Sequence, residues 1–178
     1  SGNLSAPVKY SAGMQPTQYQ VRSVAVNDFN DDGRKDVVIT HENGVGVLLQ
    51  NAQGTLDAVT VYNSNHLSFT NSYRLVTADF NNDGLADVAS IDFGTQSQAV
   101  DVYLQNAGAT LSKPASYPSS HAGRDDLAYG DVNTDGLLDI VVVSGQSFTN
   151  HLSILLQQPD HSFASVINYQ LGLTETSH

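Results

Sequence analysis

A nine-residue arrangement occurs three times in this chain, starting at Asp28, Asp79 and Asp131: Asp-Phe-Asn-Asp-Asp-Gly-Arg-Lys-Asp, Asp-Phe-Asn-Asn-Asp-Gly-Leu-Ala-Asp and Asp-Val-Asn-Thr-Asp-Gly-Leu-Leu-Asp. Spacings of 51 and 52 residues make it part of a structural repeat. Repeats of that length are supersecondary units that bury their apolar faces by stacking on one another.

Each copy offers oxygen donors at positions 1, 3, 5 and 9, with a Gly at position 6 for the sharp bend and the position 7 carbonyl turned inward. The candidate ligands are Asp28, Asn30, Asp32, the carbonyl of Arg34 and Asp36 in the first copy. They are Asp79, Asn81, Asp83, Leu85 and Asp87 in the second, and Asp131, Asn133, Asp135, Leu137 and Asp139 in the third. Calcium is the ion that such a set of hard oxygens suits, about one per repeat and three in all. A helix–loop–helix calcium site would need Glu at position 12, where Ile39, Ser90 and Val142 stand instead. β-Branched runs such as Val37–Ile39 and Ile140–Val143 follow the loops, so each loop joins two strands. Turn chemistry alone explains clusters of Asp, Asn and Gly, but it does not ask for an acid at position 9 of every copy.

Charge agrees with that reading. The chain carries 18 acidic and 7 basic residues, a net charge of −11, and ten of the acids lie inside the three loops. Three calcium ions would leave about −5. The basic residues form no patch or stripe, which argues against nucleic acid as a partner, and no apolar run reaches the length of a membrane span. Cysteine is absent, so no disulfide framework exists. Calcium loops point to an extracellular, cell-surface or periplasmic location, where the ion is plentiful. The chain opens at Ser1 with no signal-like segment and reads as a mature or excised piece.

Aligned on their loops, the copies show four strand-like segments each. Before the loop come Ser23–Val26, Leu75–Ala78 and Leu127–Gly130, and after it the β-branched runs. The third segment recurs as Val47–Asn51, Val102–Asn106 and Ile154–Gln158, and the fourth as Leu56–Tyr62, Leu111–Tyr117 and Phe163–Tyr169. No stretch has helical periodicity. Four antiparallel strands per unit of about 50 residues predict an all-β chain of β-propeller blades, at 20–63, 73–118 and 125–170 of a single 1–178 segment. Residues Asn3–Tyr10 repeat the fourth-strand pattern, so 1–19 read as the last strand of a preceding blade and its connection.

On these motifs the chain resembles the integrin-α-like repeats called FG-GAP or VCBS repeats, blades with an Asp-x-Asn-x-Asp-Gly-x-x-Asp calcium loop between their first two strands. The Phe-Gly and Gly-Ala-Pro signatures are not cleanly present, which places it nearer the bacterial VCBS type. The resemblance implies partners, protein or glycan, on the face away from calcium. That face maps to Thr40–Gly44, Asn63–Asn71, Asp92–Gln98, Ser119–Arg124 and Gly145–Asn150, with Phe69, Phe93 and Phe148 its apolar members. Propellers close with roughly four to eight blades. Three blades and a leading strand are therefore a fragment of a longer propeller, which is the favoured reading, or else a self-associating unit or an open array.

Catalytic signatures are missing: no nucleophile elbow, His-Glu-x-x-His helix or dinucleotide loop occurs, and most carboxylates are assigned to calcium. His41, His66, His121 and His151 fall in expected connections, where a solvated histidine is the ordinary case. Two functions follow. One is a noncatalytic calcium-binding module for adhesion, recognition or scaffolding; the other is the propeller of a carbohydrate-active enzyme or lectin, which the lack of Trp disfavours.

Overall fold

The computed structural model describes residues 6–13, 21–65, 74–93, 98–119, 126–146 and 149–171, with backbone alone at 92, 93, 98, 145, 146, 149 and 150. Among them are fourteen β-strands and no helix. The first sheet holds β1 (Val24–Asn27), β2 (Asp36–His41), β3 (Gly44–Leu48) and β4 (Thr60–Asn63) in that order. The second holds β5 (Arg74–Ala78), β6 (Asp87–Phe93), β7 (Gln98–Tyr103) and, past the small β8–β9 hairpin (Gln105–Asn106 and Thr110–Leu111), β10 (Ala115–Ser119). The third holds β11 (Asp126–Gly130), β12 (Asp139–Gln146), β13 (Thr149–Leu155) and β14 (Ile167–Leu171). All neighbouring strands are antiparallel.

Side chains alternate between the two faces of a strand, and here both faces are apolar. In the middle sheet Leu75, Val88 and Tyr103 face the first sheet, where they pack with Phe29, Val38, Val45 and Val47. Val76, Ala89, Ile91, Val100 and Val102 face the third, against Leu127, Ile140, Val142 and Leu155. The three sheets are thus stacked face to face with one apolar core in each gap. Continuous Val, Ile and Leu runs, rather than strict alternation with polar residues, are the sequence form of a sheet covered on both sides.

The hairpins joining the second and third strands use length differently. The first is tight, Glu42 and Asn43 lying between β2 and β3, and it depends on Gly44, whose φ is +145°. A Cβ there would lie 2.3 Å from the Tyr62 carbonyl oxygen. In the third sheet the extra residues lengthen the strands, β12 reaching Gln146. In the second, two of the four extra residues fall between Phe93 and Gln98, and β6 and β7 are each one residue longer than β2 and β3.

Two expected segments are displaced. The third strands begin earlier and end before the recurring Gln: β3 stops at Leu48, β7 at Tyr103 and β13 at Leu155. The fourth strands are shorter than expected and start at Thr60, Ala115 and Ile167. Leu56, Leu111 and Phe163 instead pair across a turn with Gln50, Gln105 and Gln157. The reason is a turn with a left-handed residue, Gly54, Ala109 or His161, which starts a separate short pairing before the main strand resumes. The expected leading strand does not form over its described part: residues 6–12 carry no strand, and Val8 is 69% exposed. The segment still lies beside the first sheet, where Lys9, Tyr10, Ser11 and Gly13 border a cleft with Leu56–Val59.

Candidate metal loops

Every β1–β2-type loop folds in the same way. Position 6 has positive φ in all three copies, as does position 4: Asp31 at +56°, Asn82 at +58° and Thr134 at +65°. Sequence reasoning saw the need at the glycines and missed position 4, where Asp and Asn tolerate left-handed backbone and a β-branched Thr does not. Asp31 therefore carries a backbone duty even though it is no candidate ligand.

The acids fold back on the loop's own amides. Asp28 Oδ1 accepts from the Asp32 N–H at 3.2 Å and Oδ2 from that of Gly33 at 2.8 Å. Asp79 does the same with Asp83 at 3.0 Å and Gly84 at 2.8 Å, and Asp131 with Asp135 at 3.1 Å and Gly136 at 2.9 Å. The position 3 Asn links the set. Asn81 Oδ1 accepts from the Asp83 amide at 3.1 Å while its Nδ2 donates to Asp83 Oδ2 at 2.9 Å, and Asn30 and Asn133 repeat both bonds. Positions 1, 3 and 5 are thereby gathered on one side of each loop. Burial would raise the Asp28 carboxyl, but N–H groups of Gly33, Asp32, Asn30 and Asp31 outweigh it and hold the group below the ordinary carboxylate range.

Position 9 has a second occupation. Asp36, Asp87 and Asp139 are fully buried. Asp87 Oδ2 accepts from the Phe80 amide at 2.8 Å and Oδ1 from the Gln105 amide at 2.7 Å. Asp36 holds Phe29 and Gln50 in the same way, and Asp139 holds Val132 and Gln157. An acid at position 9 is thus required by the fold itself, as a clamp between the start of the loop and the end of the third strand. Its presence in every copy is not by itself a sign of metal. Burial pushes the Asp87 carboxyl up to about 6; the Gln105 and Phe80 amides oppose the shift, and Asp83 and Asp79 add to it.

The same Gln that meets the clamp also ties the sheets together. Gln105 Nε2 donates to the Phe29 carbonyl of the preceding sheet, and Gln157 Nε2 to the Phe80 carbonyl. Both glutamines are buried. Their recurrence at the end of each third segment was the signal; their role needed the neighbouring sheet to be visible.

Arg34 distinguishes the first loop. Its guanidinium reaches the Asp32 carboxylate, and its Nε donates to the Gln50 carbonyl at 3.0 Å. Leu85 and Leu137 hold that position in the other loops and supply no such charge. Among the described residues no three acidic or histidine side chains gather closely enough to make a metal site by themselves. The set still fits a cation in its chemistry: all donors are hard oxygens, and each carboxylate oxygen that accepts one N–H keeps a second lone pair.

The opposite end of the sheets is described only in part. Phe69, Phe148, His66 and His121 lie outside the described residues, and at Phe93 only the backbone is described, at the end of β6. His41 is buried rather than solvated, 4% exposed at the end of β2, with its Nδ1 accepting from the Asn43 amide at 3.2 Å. Burial lowers its pKa, against the pull of Glu42. His151 is half-buried in β13. No helix among the described residues is long and apolar enough to cross a membrane.

Stacked four-stranded antiparallel sheets, each with the same acidic loop between its first two strands, define a repeat protein of the β-propeller blade type. The FG-GAP-like repeat model matches residues 28–90 and 79–142, and the chain belongs to that family. Such repeats are in general non-enzymatic structural or binding modules. Comparison with curated proteins gives no match.

Proposed function

We propose that this chain is a noncatalytic calcium-binding module of a protein exposed outside the cytoplasm, with one ion held per loop. The ligands would be the oxygens of positions 1, 3, 5 and 9 and the position 7 carbonyl. The observation that carries this is the identical gathering of positions 1, 3 and 5 in three loops whose carboxylates otherwise repel one another. A bound divalent cation would supply the missing counter-charge, while the chain's own amides fix where the oxygens point. Arg34 already meets part of that need in the first loop, so the second and third loops bind more tightly. Recognition of a protein or glycan belongs to the end away from the loops, where hairpin lengths differ between repeats.

Titration calorimetry tests the reading. Two tighter sites and one weaker site are expected for calcium, in the roughly 10⁻⁴ to 10⁻³ M range of extracellular modules. Asp83→Ala should remove one tight site. Asp31→Asn, which keeps the left-handed backbone and touches no ligand position, should remove none. Absence of binding at millimolar calcium, or equal loss in both variants, would sink the proposal.

A further inference from the structure

The outer rim between neighbouring sheets occurs twice within the chain, and the two copies differ in what fills them. Between the first and second sheets, Asn65 reaches in from just beyond β4. Its Nδ2 donates to the Pro114 carbonyl at 2.6 Å and to Ser116 Oγ at 3.0 Å. The Ser116 hydroxyl in turn donates to Oδ1 of the buried Asp101 at 2.5 Å. Under this cover Pro114 is buried and Ser116 half-buried.

The same rim between the second and third sheets is an open cleft of about 340 Å³, lined by Tyr117, Pro118, Phe163, Ser165, Val166 and Asn168. Counted from the Tyr of the fourth strand, Val166 is the counterpart of Pro114 and Asn168 of Ser116. Both are more open than their counterparts, Val166 half-buried and Asn168 exposed. Asn168 is backed in the same way as Ser116: its Oδ1 accepts from the buried Ser153 hydroxyl at 2.6 Å, and Ser153 faces Asn168 in register as Asp101 faces Ser116. Tyr117 and Phe163 form the apolar wall, edge to face with ring centres 5.4 Å apart, and the Phe163 N–H donates to the Tyr117 hydroxyl at 3.4 Å. Asn65 stands three residues after Tyr62. Three after Tyr117 comes Ser120, which lies outside the described residues and carries no carboxamide.

We propose that this cleft takes the side-chain carboxamide of an asparagine from a partner peptide, in the place that Asn65 fills in the other rim. A carboxamide carries two N–H donors and an acceptor oxygen on one small flat group. One N–H meets the Val166 carbonyl as Asn65 meets that of Pro114. The other meets Asn168 Oδ1, which keeps a second lone pair beside its bond from Ser153, and Asn168 Nδ2 supplies a donor for the incoming oxygen. An aspartate of the same shape has no N–H to give and brings a further negative charge to a chain already at −11. A leucine of similar size would cover the Val166 and Asn168 polar groups without pairing them, which costs more than leaving them in water.

Amide chemical shifts of the isotope-labelled full chain, titrated with an Ala-Asn-Ala peptide capped by acetyl and N-methylamide groups, test this. Saturable shifts are expected at Val166 and Asn168. The same peptide with Asp or Leu at its centre should bind about tenfold more weakly or worse, the loss of two hydrogen bonds. Asn168→Leu, at an exposed position, should abolish the shifts while the rest of the spectrum stays that of the folded chain. Asn65→Ala empties the other rim and should add a second set of saturable shifts at Ala115 and Ser116 with the same peptide. Absence of saturable shifts at Val166 and Asn168 up to the solubility limit of the peptide overturns the proposal. So does equal binding of the Leu or Asp peptide, binding that survives Asn168→Leu, or an Asn65→Ala chain with no second site.

Discussion

Ile91 and Val143 stand at one repeat position, in the strand that follows the loop, and are 0% and 46% exposed. Leu75 and Val24 make the same contrast on the other face, 5% against 61%. The middle sheet and its flanking sheets are built from nearly interchangeable residues and differ in what lies beside them. Apolar content is set by the unit, and its conversion into stability by the neighbour. For a β-branched residue the difference between water and a packed core amounts to about 1.5–3 kcal/mol, so the central repeat holds most of the stabilisation that the others only have available.

The sharpest way to break this contrast is one truncation made at both positions. Ile91→Ala empties a site closed on all sides and should cost about 2–5 kcal/mol. Val143→Ala should stay within about 0.5 kcal/mol, as exposed substitutions do. Denaturant unfolding measures both, and equal losses would mean that the sheets are not stacked in the order described.

A smaller effect separates the clamp of the middle sheet by pH. The Asp87 carboxyl sits at about 6 in the folded chain and near 3.9 when unfolded. Between these values the folded state holds the proton more firmly, so stability falls as pH rises from about 4 through about 6, and the loss is complete above that window. In chelator, the melting temperature should be lower at pH 7 than at pH 5, with up to about 3 kcal/mol attributable to this group. Calcium, which favours the ionised form, should flatten the profile. Asp87→Asn should remove the slope in this window, and a slope that survives it belongs to other groups.

The smallest expected effect is confined to the third loop. Thr134 is β-branched at a φ of +65°, whereas Asp31 and Asn82 suit that conformation. Thr134→Asn should stabilise the chain by about 1 kcal/mol, read as a rise in melting midpoint. No gain would mean that the Thr134 hydroxyl, which donates to the Asn133 carbonyl at 2.6 Å, offsets the backbone strain.

Much of this was legible in the sequence because it is local. The loop spacing and the β-branched runs place three loops between paired strands, and the absence of helical periodicity agrees with the all-β chain. What was not legible depends on contacts far apart in the chain. Gln105 meets a carbonyl 76 positions earlier, and Asp36 clamps a residue 14 positions on while Asp87 and Asp139 reach 18. Those offsets are known only once hairpin lengths are. Leu56, Leu111 and Phe163 misled for a related reason: an apolar residue six before a Tyr marks a strand only if no turn pairing intervenes.

The Gln latch also bears on how such a chain could lengthen. A unit with a donor on one face and the matching acceptor on the other accepts a further copy of itself in tandem with no new contact to be devised, since the added copy brings both halves. Insertion of a whole repeat between existing ones leaves every junction of the same kind. A duplication that cuts a repeat short, by contrast, strands a buried carbonyl at the join. Whole-unit gain and loss is therefore the change this architecture tolerates most readily.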